Sequence, residues 1–456
     1  MTSSISSIPI APVLKEMADV FKAHGKRAFL VGGAVRDILL KKKAADWDLA
    51  TDALCEEVCA MFRRVIRTGI KHGTVSVLYK GHTVEVTTFR TDGAYSDGRH
   101  PDSVRFATTI EEDLSRRDFT MNAVAAELPL GNIVDPFNGV GDIDRKLIRC
   151  VGKAEERFNE DGLRPLRALR FASVLNFKLD DAIIKAIPAA LDITARVSPE
   201  RIRDEFEKIL LSPKPSTALQ AMAQTGLMHL LFPCLADCIG VEQKGYHSFD
   251  VFTHSVLACD YAAHINAGKE VRLASLLHDV GKPASMSQDE CGIRTFYNHE
   301  KISAKLAADL MTHLRFPNLV IDKVVHLIDQ HMFHYEEVWN DAAVRRFIAR
   351  VGEEHLKDLF DLRRADSFAM SAREPPADLL LPLQLRIEDV LSKSRALSVK
   401  DLAINGRDLM AAGIPTGKDM GLILSLLLET VFEDPALNTK EKLLEIGLKL
   451  RQKLSS

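Results

Sequence analysis

The spacing of apolar residues changes once along the chain, near residue 150. In the first part, Ala28 to Val31 form a short apolar run that ends at two glycines, and segments 75–78 and 83–88 alternate like strands on either side of Gly81. Beyond about residue 153, apolar side chains recur at helical spacing, as they do from Pro199 to Leu211. The sequence therefore predicts an α+β head followed by a mostly α-helical remainder.

Proline pairs predict where the helical part is interrupted. Pro213 and Pro215 lie in one turn-forming stretch, and Pro375 and Pro376 lie in another. Proline removes a backbone donor and restricts the residue before it, so helices should end near both stretches. We treat the two stretches as candidate boundaries.

Composition and charge exclude several classes of protein. Hydrophobic residues make up 46% of the 456 residues and charged residues 27%, which is typical of folded domains, and the length suggests roughly three or four of them. No apolar run approaches the ~20 residues of a membrane span. The net charge of −3 excludes a protein that coats nucleic acid through bulk charge. RNA contacts would need local basic patches, such as 41–43, 63–67 or the arginines at 164, 167 and 170.

Cysteine usage indicates the compartment. The seven cysteines include no CxxC pair, and neither Cys55 with Cys59 nor Cys234 with Cys238 has a further ligand pair that would complete a zinc site. The serine-rich start soon carries charged residues rather than a secretory apolar core. We therefore expect a protein of the reducing cytoplasm.

Two aspartates carry the most specific chemistry of the first region. Asp46 and Asp48 are spaced i,i+2, so on a strand their carboxylates point to the same side and can share hard cations such as Mg²⁺. In a two-metal site, one ion polarises an attacking hydroxyl and the other holds a triphosphate. Glu85 is a candidate third carboxylate, because strand alternation places its flanking valines on the opposite face. The alternative for Glu85 is an ordinary exposed strand residue.

A glycine pair precedes the aspartates. Gly32 and Gly33 end the first apolar run, where backbone N–H groups can approach a phosphate closely, and Arg36 adds positive charge. A glycine pair alone often marks only a tight turn. The ordered combination of strand, glycines, arginine and aspartates predicts metal-dependent chemistry on a nucleotide.

Ordered motifs connect this region to a known family. Residues 31–52 carry the glycines and the aspartates, residues 115–123 are Ser-Arg-Arg-Asp-Phe-Thr-Met-Asn-Ala, and residues 160–164 are Glu-Asp-Gly-Leu-Arg. Further similarity covers Gly73-Thr74-Val75 and segment 92–99, where the family has a mobile loop. Residues 28 to 175 or so resemble the class II tRNA nucleotidyltransferase and bacterial poly(A) polymerase family.

The resemblance implies a polymerase-β-like head followed by helical neck, body and tail regions. In the family, the residues that match Asp46 and Asp48 hold the catalytic metals, and Mg²⁺ is the expected cofactor. The arginine-arginine-aspartate segment supports the nucleotide and ties the head to the neck. The expected nucleotide-binding residues are Gly33, Arg36, Arg116, Arg117, Asp118, Asp161, Arg164, Arg167 and Arg170.

In the family, the residues that match Asp161 and Arg164 recognise the incoming base, and the residue types give a physical reason. A carboxylate offers only acceptors and a guanidinium only donors, so at i,i+3 spacing on one helical face they can address the polar edge of C or A without a template. Arg167 and Arg170 continue this spacing and would face the triphosphate or the RNA backbone. The alternative for these two arginines is a basic helix face with surface ion pairs.

One position departs from the family pattern. The family often has a proline directly after the motif's aspartate, where this chain has Gly162, and a proline appears here as Pro165 instead. Proline fits a helix only in its first turn. The departure therefore bears on where the local helix begins rather than on the chemistry.

A second constellation lies beyond residue 250. An adjacent His-Asp pair within segment 276–282 has a histidine upstream and an aspartate downstream, and it resembles the HD superfamily of metal-dependent phosphohydrolases. Such ligands suit Mn²⁺, Ni²⁺, Fe or Mg²⁺ and can activate a water for attack on a phosphoester. The expected ligands of this second metal are His254, His278, Asp279 and Asp366, with His299 and His331 between them.

Two alternatives stay open for the second constellation. Asp361 can take the place of Asp366 as the last ligand. An HD fold can also persist as a helical body that supports RNA and holds no working metal.

The motifs together predict a nucleotidyltransferase head at 1–152, a helical base-recognising neck at 153–235, an HD domain at 236–372 and a helical tRNA-binding tail at 373–456. The expected activity is addition of C, C and A to tRNA 3′ ends from CTP and ATP, without a membrane partner. A poly(A) polymerase is the nearest rival, although the chain lacks a strongly basic C-terminal extension for gripping arbitrary RNA. An HD phosphohydrolase with an RNA-binding head is the rival from another class.

Overall fold

The computed structural model describes residues 6–44, 46–70, 73–93, 104–243, 248–288, 294–393 and 396–455. The chain divides into two compact units. Unit 1 comprises residues 1–237 and 313–316, and unit 2 comprises residues 238–312 and 317–456. Unit 1 is α+β and unit 2 is almost entirely helical, as the apolar spacing predicts.

Unit 1 contains a mixed sheet and a series of short helices. Its strands are β1 (Ala28–Val31), β2 (Trp47–Thr51), β3 (Val65–Gly69), β4 (Thr74–Tyr79), β5 (His82–Thr88), β6 (Arg90–Asp92), β7 (Val104–Phe106), β8 (Ala125–Glu127), β9 (Asn132–Val134), β10 (Leu147–Ile148) and β11 (Lys178–Leu179). Its helices are α1 (Pro12–Ala23), α2 (Gly33–Leu39), α3 (Cys55–Met61), α4 (Ile110–Ser115), α5 (Gly139–Asp144), α6 (Ala154–Glu160), α7 (Arg164–Leu175), α8 (Asp181–Ala186), α9 (Leu191–Thr194), α10 (Pro199–Leu210), α11 (Ser216–Thr225), α12 (Leu227–Leu231) and α13 (Pro233–Ala236).

The principal sheet of the described residues has seven strands in the order β3-β4-β5-β2-β1-β8-β9. β2 and β5 are parallel, and β1 is antiparallel to β2 and β8. The alternating valines of β4 and β5 are buried and pack in one core with Leu14, Met17 and Phe21 of α1. Strand alternation therefore turns the intervening side chains of β2 and β5, including Asp48 and Glu85, to the opposite face.

Unit 2 consists of helices and one short hairpin. Its elements are α14 (Val251–His264), α15 (Lys269–Leu277), α16 (Lys282–Ser285), β12 (Ser287–Gln288), β13 (Arg294–Thr295), α17 (His299–His313), α18 (Asn318–Gln330), α19 (Asp341–Val351), α20 (Leu356–Ser371), α21 (Leu381–Lys393), α22 (Gly406–Ala411), α23 (Lys418–Glu433) and α24 (Lys440–Ser455). Helix α14 packs against α15 and α20, and α15 packs against α18.

The helix breaks at both proline stretches are confirmed. α10 ends at Leu210 and α11 begins at Ser216, while α20 ends at Ser371 and α21 begins at Leu381. Among the described residues, none of the helices has the length and apolar character needed to cross a bilayer.

Candidate active site

Three carboxylates lie near one another where the central strands β2 and β5 run side by side. Asp46 directly precedes β2, Asp48 is its second residue, and Glu85 lies opposite Asp48 in the parallel register. All three residues are exposed, whereas the valines on either side of Glu85 are buried. The predicted alternation of this strand is therefore confirmed. We call Asp46, Asp48 and Glu85 the head cluster.

Burial and a neighbouring carboxylate both disfavour ionisation of Asp48 in the head cluster. Partial burial raises the pKa of Asp48, and the neighbouring Glu85 raises it further, while Arg117 acts in the opposite direction. Like charges at this separation disfavour ionisation of each other. The negative charge of Asp48 is therefore only partly compensated by its protein neighbours.

The turn between β1 and α2 brings a backbone bend next to an arginine. Gly32 has a φ of 70°, and a Cβ at this position would lie 2.9 Å from Nη1 of Arg117. A side chain here would be both strained and in collision with the guanidinium. The glycine therefore allows Arg117 to lie directly over the start of α2.

Arg36 extends from α2 and is fixed by two partners. Its Nε and Nη2 donate to Oδ1 of Asp37 at 2.9 and 2.8 Å, and its Nη1 donates to Oδ1 of Asn122 at 2.8 Å. Asn122 in turn donates from Nδ2 to Asp118 at 3.1 Å. Hydrogen bonds through Asn122 therefore link Arg36, which we expect to face a phosphate, to Asp118.

Arg116 and Arg117 are both held by one buried carboxylate. Oδ1 of Asp113 accepts from Nε and Nη2 of Arg116 at 3.0 and 2.8 Å, and Oδ2 accepts from Nη2 of Arg117 at 3.3 Å. Burial alone would raise the pKa of Asp113, but the two guanidinium groups outweigh it and lower the pKa. The sequence analysis missed Asp113, although its i,i+3 and i,i+4 spacing to the arginines was a usable signal.

Asp118 and Arg167 connect the sheet region to α7. Nε and Nη2 of Arg167 donate to Oδ2 of Asp118 at 3.0 and 2.5 Å. Burial opposes the charged carboxylate, yet the charge and hydrogen bonds of Arg167 lower the pKa of Asp118 to about 2. This ion pair has a buried carboxylate and a partly exposed guanidinium, and it is a contact of the kind that the resemblance implied between head and neck.

Arg170 is the next arginine along α7. It pairs with Glu205 of α10 at 2.5 Å, and its guanidinium lies 3.8 Å from the ring centre of Phe171. Glu205 is itself buried. The predicted arginines at 164, 167 and 170 all lie on α7, and each pairs with a carboxylate, of Glu160, Asp118 and Glu205 in turn.

A cavity of about 600 Å³ lies between these groups within unit 1. It is also lined by Asn122, Phe171 and Lys208, which the sequence analysis did not single out. Glu85, Arg116, Asp161 and Arg164 are not on its lining. The predicted residues that do line it are Gly33, Arg36, Asp46, Asp48, Arg117, Asp118, Arg167 and Arg170.

The expectation that Asp161 and Arg164 share one helical face is wrong. Asp161 follows the last residue of α6 in extended conformation, with φ of −138° and ψ of 111°, and Arg164 is the first residue of α7. Oδ1 of Asp161 accepts from the backbone N–H of Leu163 at 3.0 Å. The carboxylate of Asp161 thus accepts a backbone hydrogen bond in the turn between α6 and α7. The spacing of residues in the sequence does not reveal this turn.

Arg164 is buried and its donors are engaged by the protein. Nη1 donates to Oε2 of Glu160 and to the carbonyl oxygen of Arg157 at 3.0 Å, and Nη2 donates to the carbonyl oxygen of Arg116 at 3.2 Å. The carboxylate of Asp161 instead pairs with Arg201 of α10 at 3.0 Å. No local pattern in the sequence indicates Arg201, because α10 contributes it from 40 residues away.

The structure gives a reason for Gly162. A Cβ at this position would lie 2.5 Å from the carbonyl oxygen of Ile193, and the carbonyl of Gly162 accepts from Oγ1 of Thr194 at 2.8 Å. Pro165 lies in the first turn of α7, where its missing N–H needs no partner. The close approach of residues 193–194 therefore requires glycine, and the proline is tolerated three residues later.

Unit 2 brings together the histidines and aspartates of the second constellation. His254 lies on α14, His278 ends α15, His331 ends α18 and Asp366 lies on α20. We call these residues, with Asp279 and His299, the histidine cluster. The side chains of its histidines and of Asp279 are almost fully buried.

The two oxygens of Asp279 face different partners. Oδ2 lies 3.4 Å from Nε2 of His254 and 3.3 Å from Nε2 of His278, and it accepts from Nζ of Lys282 at 2.6 Å. Oδ1 lies 3.1 Å from Nε2 of His299 and 3.9 Å from Nε2 of His331. His254, His278 and Asp279 form one group whose spacing suits a metal, and Asp279, His299 and His331 form another.

Backbone carbonyls set the orientation of three imidazoles. Nδ1 of His278 contacts the carbonyl oxygen of Ser275 at 2.9 Å, and the corresponding distances are 2.8 Å for His299 and 2.7 Å for His331. A carbonyl only accepts, so each Nδ1 carries a proton, and Nε2 is the nitrogen that faces the other members of the cluster. Metal-binding histidines are commonly fixed in this way.

The charges of the histidine cluster compensate each other. Although burial lowers the pKa of His278, Asp279 and Asp366 outweigh it and raise the pKa to about 10. Burial, together with the charge of His278, lowers the pKa of His331 to about 3. Burial would raise the pKa of Asp279, but His278 and Lys282 hold it well below its usual value.

The two candidates for the last ligand occupy different positions. Oδ1 of Asp366 lies 3.2 Å from Nε2 of His254 and 3.6 Å from Nε2 of His278. Asp361 pairs with Lys357 at 2.6 Å, one turn away on the same helix. Geometry therefore favours Asp366.

Of the family's loop motif at 92–99, residues 94–99 lie outside the described residues.

Comparison with sequence families gives three matches. Residues 28–149 match a family described as the poly A polymerase head domain. Residues 176–239 match a probable RNA and SrmB-binding site of polymerase A, and residues 286–446 match tRNA nucleotidyltransferase domain 2. The first match contains the whole head cluster.

Relatives and solved structures agree over nearly the full length. A CCA-adding enzyme of Lactobacillus johnsonii is 34% identical over 95% of both chains, and one of Geobacillus stearothermophilus is 37% identical over 92% of this chain and 93% of that one. The crystal structure of the Bacillus stearothermophilus CCA-adding enzyme in complex with CTP has a TM-score of 0.72 at 31% identity, covering 98% and 99% of the two chains. A Thermotoga maritima CCA-adding enzyme complexed with tRNA shares the fold, with a TM-score of 0.59 at 20% identity over 97% and 96% of the chains.

Proposed function

The chain belongs to the CCA-adding enzyme family, since relatives of that name are 34% and 37% identical over more than nine-tenths of its length, and from this membership we propose that it adds C, C and A in turn to tRNA 3′ ends from CTP and ATP. The observation that carries the proposal is the head cluster, two of whose carboxylates, Asp46 and Asp48, line a cavity together with four arginines. That arrangement suits a triphosphate bound with divalent cations.

Asp46, Asp48 and Glu85 are the proposed ligands of the catalytic metal. Enzymes of this family depend on divalent metal, and we propose Mg²⁺, because the donors are all carboxylate oxygens and no nitrogen or sulfur ligand belongs to the cluster. When bound, the metal would supply polarisation of the attacking 3′ hydroxyl and neutralisation of the triphosphate. Asp46 and Asp48 act as ligands in every transfer, whichever nucleotide is added.

The arginines and the β1–α2 turn would bind and orient the triphosphate. Arg117 and Arg36 line the cavity from one side, and Arg167 and Arg170 line it from α7. Gly33 lines the cavity at the start of α2 and lets phosphate approach the backbone. Arg116 and Asp118 act indirectly, since Arg116 shares Asp113 with Arg117 and Asp118 fixes Arg167. Guanidinium groups held in this way lose little freedom when phosphate binds.

Asp161 and Arg164 are proposed to select the base. Asp161 retains acceptor capacity beyond its contacts with Leu163 and Arg201, and this capacity suits the exocyclic amino group of C or A. Arg164 would have to exchange its contact with Glu160 for the base, because its donors are engaged in this arrangement. Selection would thus accompany a local change at the junction of α6 and α7.

We propose that the four predicted regions have separate functions. We assign nucleotide transfer to a head at 1–152, base selection to a neck at 153–235, a metal centre to an HD domain at 236–372 and tRNA binding to a tail at 373–456. Free cysteines among the described residues support a reducing cytoplasm as the location.

The experiment uses tRNA lacking its last one, two or three nucleotides. Each substrate is incubated with CTP, with ATP or with both, and the products are sized at single-nucleotide resolution while pyrophosphate release is recorded. The proposal expects addition to stop at the completed CCA end. Extension by many A residues from ATP alone would establish a poly(A) polymerase, and no extension would leave only the histidine cluster as a catalytic site.

A second activity is favoured by the histidine cluster. Nε2 of His254 and of His278 and carboxylate oxygens of Asp279 and Asp366 lie 3.2 to 3.6 Å from one another, an arrangement that a shared cation would stabilise. We propose a transition-metal site here, with His299 and His331 contributing at the other oxygen of Asp279. A bound metal would supply an activated water for phosphoester hydrolysis. Nζ of Lys282 donates to Asp279 and to Gln243, at 2.6 and 2.5 Å, and we propose that it would also bind the phosphate.

A further inference from the structure

A cavity of about 420 Å³ lies against one face of α19 in unit 2, and we call it the α19 cavity. Residues of α19 line it at positions i, i+3, i+4 and i+7, which form one stripe of a helix: Ala343, Arg346, Phe347 and Arg350. The segment between α18 and α19 adds Phe333 and Trp339 to the lining. The volume is that of a small-molecule pocket, and neither the head cluster nor the histidine cluster contributes to it.

Aromatic rings form part of the wall of the α19 cavity. The ring centre of Phe347 lies 5.3 Å from that of Phe333 and 5.8 Å from that of Trp339. Phe333 and Phe347 are buried, whereas Trp339 is partly exposed. Trp339 therefore keeps aromatic surface that a flat ligand can cover.

The α19 cavity is basic, and only one of its two arginines is compensated. Arg346 pairs with Glu429 at 2.7 Å and with Glu433 at 2.5 Å, both on α23. Arg350 is exposed, its guanidinium lies 5.8 Å from the ring centre of Phe347, and no carboxylate among the described residues pairs with it. None of the described residues on the lining is acidic. The cavity thus offers an uncompensated guanidinium beside aromatic rings, which suits an aromatic ligand that carries an anionic group.

A second cavity of unit 2, of about 520 Å³, does not share this character. Its lining includes Glu353, Asp361 and Glu388 as well as Lys357 and Arg364. Charges of both signs therefore line that cavity, and a basic lining is a specific property of the α19 cavity rather than of every cavity in the unit.

We propose that the α19 cavity is a binding site for a mononucleotide, in which the base stacks on Trp339 and the phosphate binds Arg350. Stacking tolerates any base, because every base has a π-face, so the site should accept AMP and CMP alike. The inference goes beyond nucleotide addition, and it depends neither on the head cluster nor on a metal in the histidine cluster.

The charges around the α19 cavity favour a mononucleotide over an RNA strand. Proteins that hold single strands have a positively charged groove that follows the backbone. Here a single arginine is uncompensated, Glu429 and Glu433 lie against the other, and exposed Glu336 and Glu337 precede Trp339 in the chain. One guanidinium matches one phosphate group, whereas a polyanion would meet these carboxylates.

The test uses the fluorescence of Trp339. The chain has two tryptophans, so Trp47→Phe leaves Trp339 as the only one. The full chain with this change is titrated with AMP, CMP, adenosine, ribose 5-phosphate and tRNA, and it is excited at a wavelength that nucleotides do not absorb. The thermal unfolding midpoint of each variant is recorded in parallel.

AMP and CMP should quench Trp339, and ribose 5-phosphate should not, because it has no base to stack. In Arg350→Ala the dissociation constant of AMP should rise about tenfold, the effect of one charge-assisted hydrogen bond, while that of adenosine should stay unchanged. Arg350→Lys keeps the charge without the planar guanidinium and should lie between this variant and the parent. Arg373→Ala is the matched control, since Arg373 is an exposed arginine of unit 2 that does not line the cavity.

The histidine cluster needs its own control, because a metal there could also attract a phosphate. The guanidinium of Arg363 lies 5.9 Å from the ring centre of Phe333, and its Nη1 donates to Oδ2 of Asp366 at 3.0 Å. The double change His278→Ala with Asp279→Ala should keep the quenching by AMP. Loss of quenching in a folded double variant would assign the nucleotide to the histidine cluster and overturn the proposal.

Other results would also overturn the proposal. They are an absence of quenching by AMP and CMP at millimolar concentration, and an affinity for AMP that Arg350→Ala leaves unchanged. Quenching by tRNA but by neither mononucleotide would assign the α19 cavity to RNA instead. Should Trp47→Phe fail to fold, the difference in quenching between the parent and Arg350→Ala decides, because both then contain Trp47 and differ only at the cavity.

Discussion

The head cluster and the histidine cluster contain carboxylates in opposite electrostatic situations. In the head cluster, partial burial and Glu85 raise the pKa of Asp48, although all three residues keep part of their surface exposed to solvent. In the histidine cluster, Asp279 is buried, yet His278 and Lys282 hold its pKa well below the usual value. The charge of Asp48 is thus only partly compensated by its neighbours in unit 1, whereas that of Asp279 is compensated in unit 2.

The difference indicates two ways of holding a cation. An open set of oxygens with excess negative charge gains most when cation and triphosphate arrive together, so it should bind metal weakly before the nucleotide. A closed set of imidazoles, oriented by backbone carbonyls, is ready for a metal that stays bound. We therefore expect the metal of unit 2 to survive purification and that of the head cluster to exchange freely.

The largest effect is expected at the head cluster. Asp46→Ala or Asp48→Ala should reduce addition of both C and A by about a thousandfold or more, because each removes a ligand needed for every transfer and metal stabilisation contributes several kcal/mol. Turnover is measured with CTP and ATP separately at saturating Mg²⁺. Asp52→Ala is the control, since Asp52 lies just beyond β2 and pairs with Arg27. Near-normal turnover in either cluster variant would remove the basis of the metal assignment.

The next prediction concerns the histidine cluster. The double change His278→Ala with Asp279→Ala should abolish bound transition metal and any phosphodiesterase or phosphatase activity toward nucleotide phosphoesters, while leaving CCA addition within a few-fold of the parent, an order-of-magnitude expectation for a site outside the transfer chemistry. Elemental analysis and both activity assays are made on the same preparation.

Asp361→Ala serves as the control for the histidine cluster, because Asp361 lies on the helix of Asp366 but pairs with Lys357 instead. Equal metal content in the parent and the double variant would disprove the ligand assignment. Loss of CCA addition in a folded double variant would show that the two sites are coupled.

The two clusters also differ in how far the sequence predicts them. Strand alternation is a local property, so the positions of Asp48 and Glu85 on one face follow from the residues themselves and are confirmed by the register of β2 and β5. The histidines are recognisable by residue type, but their convergence depends on how α14, α15, α18 and α20 pack.

The neck shows where local reasoning fails. Helical spacing correctly predicts the arginine series on α7, but it wrongly places Asp161 on the same helix. Two residues, 162 and 163, separate Asp161 from the first residue of α7. Arg201 and Glu205 come from α10 and leave no mark near the residues they contact. Tertiary partners of this kind depend on packing, which periodicity does not encode.

A smaller effect is expected for base selection. Asp161→Ala or Arg164→Ala should raise misincorporation of U and G by about ten- to a hundredfold, because each removes charge-assisted hydrogen bonds of roughly 1.5–3 kcal/mol. Competition between the four nucleotides on tRNA lacking its last residue measures the effect, and tRNA affinity measured in parallel should change little. Parental fidelity in both variants would mean that other residues select the base.

The smallest expected effect is on the pH dependence of stability, where Asp118 provides a second compensated carboxylate to compare with Asp279. Asp118 is a buried carboxylate compensated by Arg167, and its pKa is lowered from 3.8 to about 2. A depressed pKa contributes stability that is fully present above the unfolded value and is lost as pH falls through the folded value, here between about pH 4 and 2. The contribution is about 2 kcal/mol. Asp118→Asn should therefore lower the unfolding midpoint of unit 1 by about 4–8 °C at neutral pH, and the gap to the parent should narrow as pH falls below 4. Asp204→Asn, an exposed control, should show no such gap. A gap that stays constant down to pH 3 and below would mean that packing, rather than the charge of Asp118, provides the stabilisation.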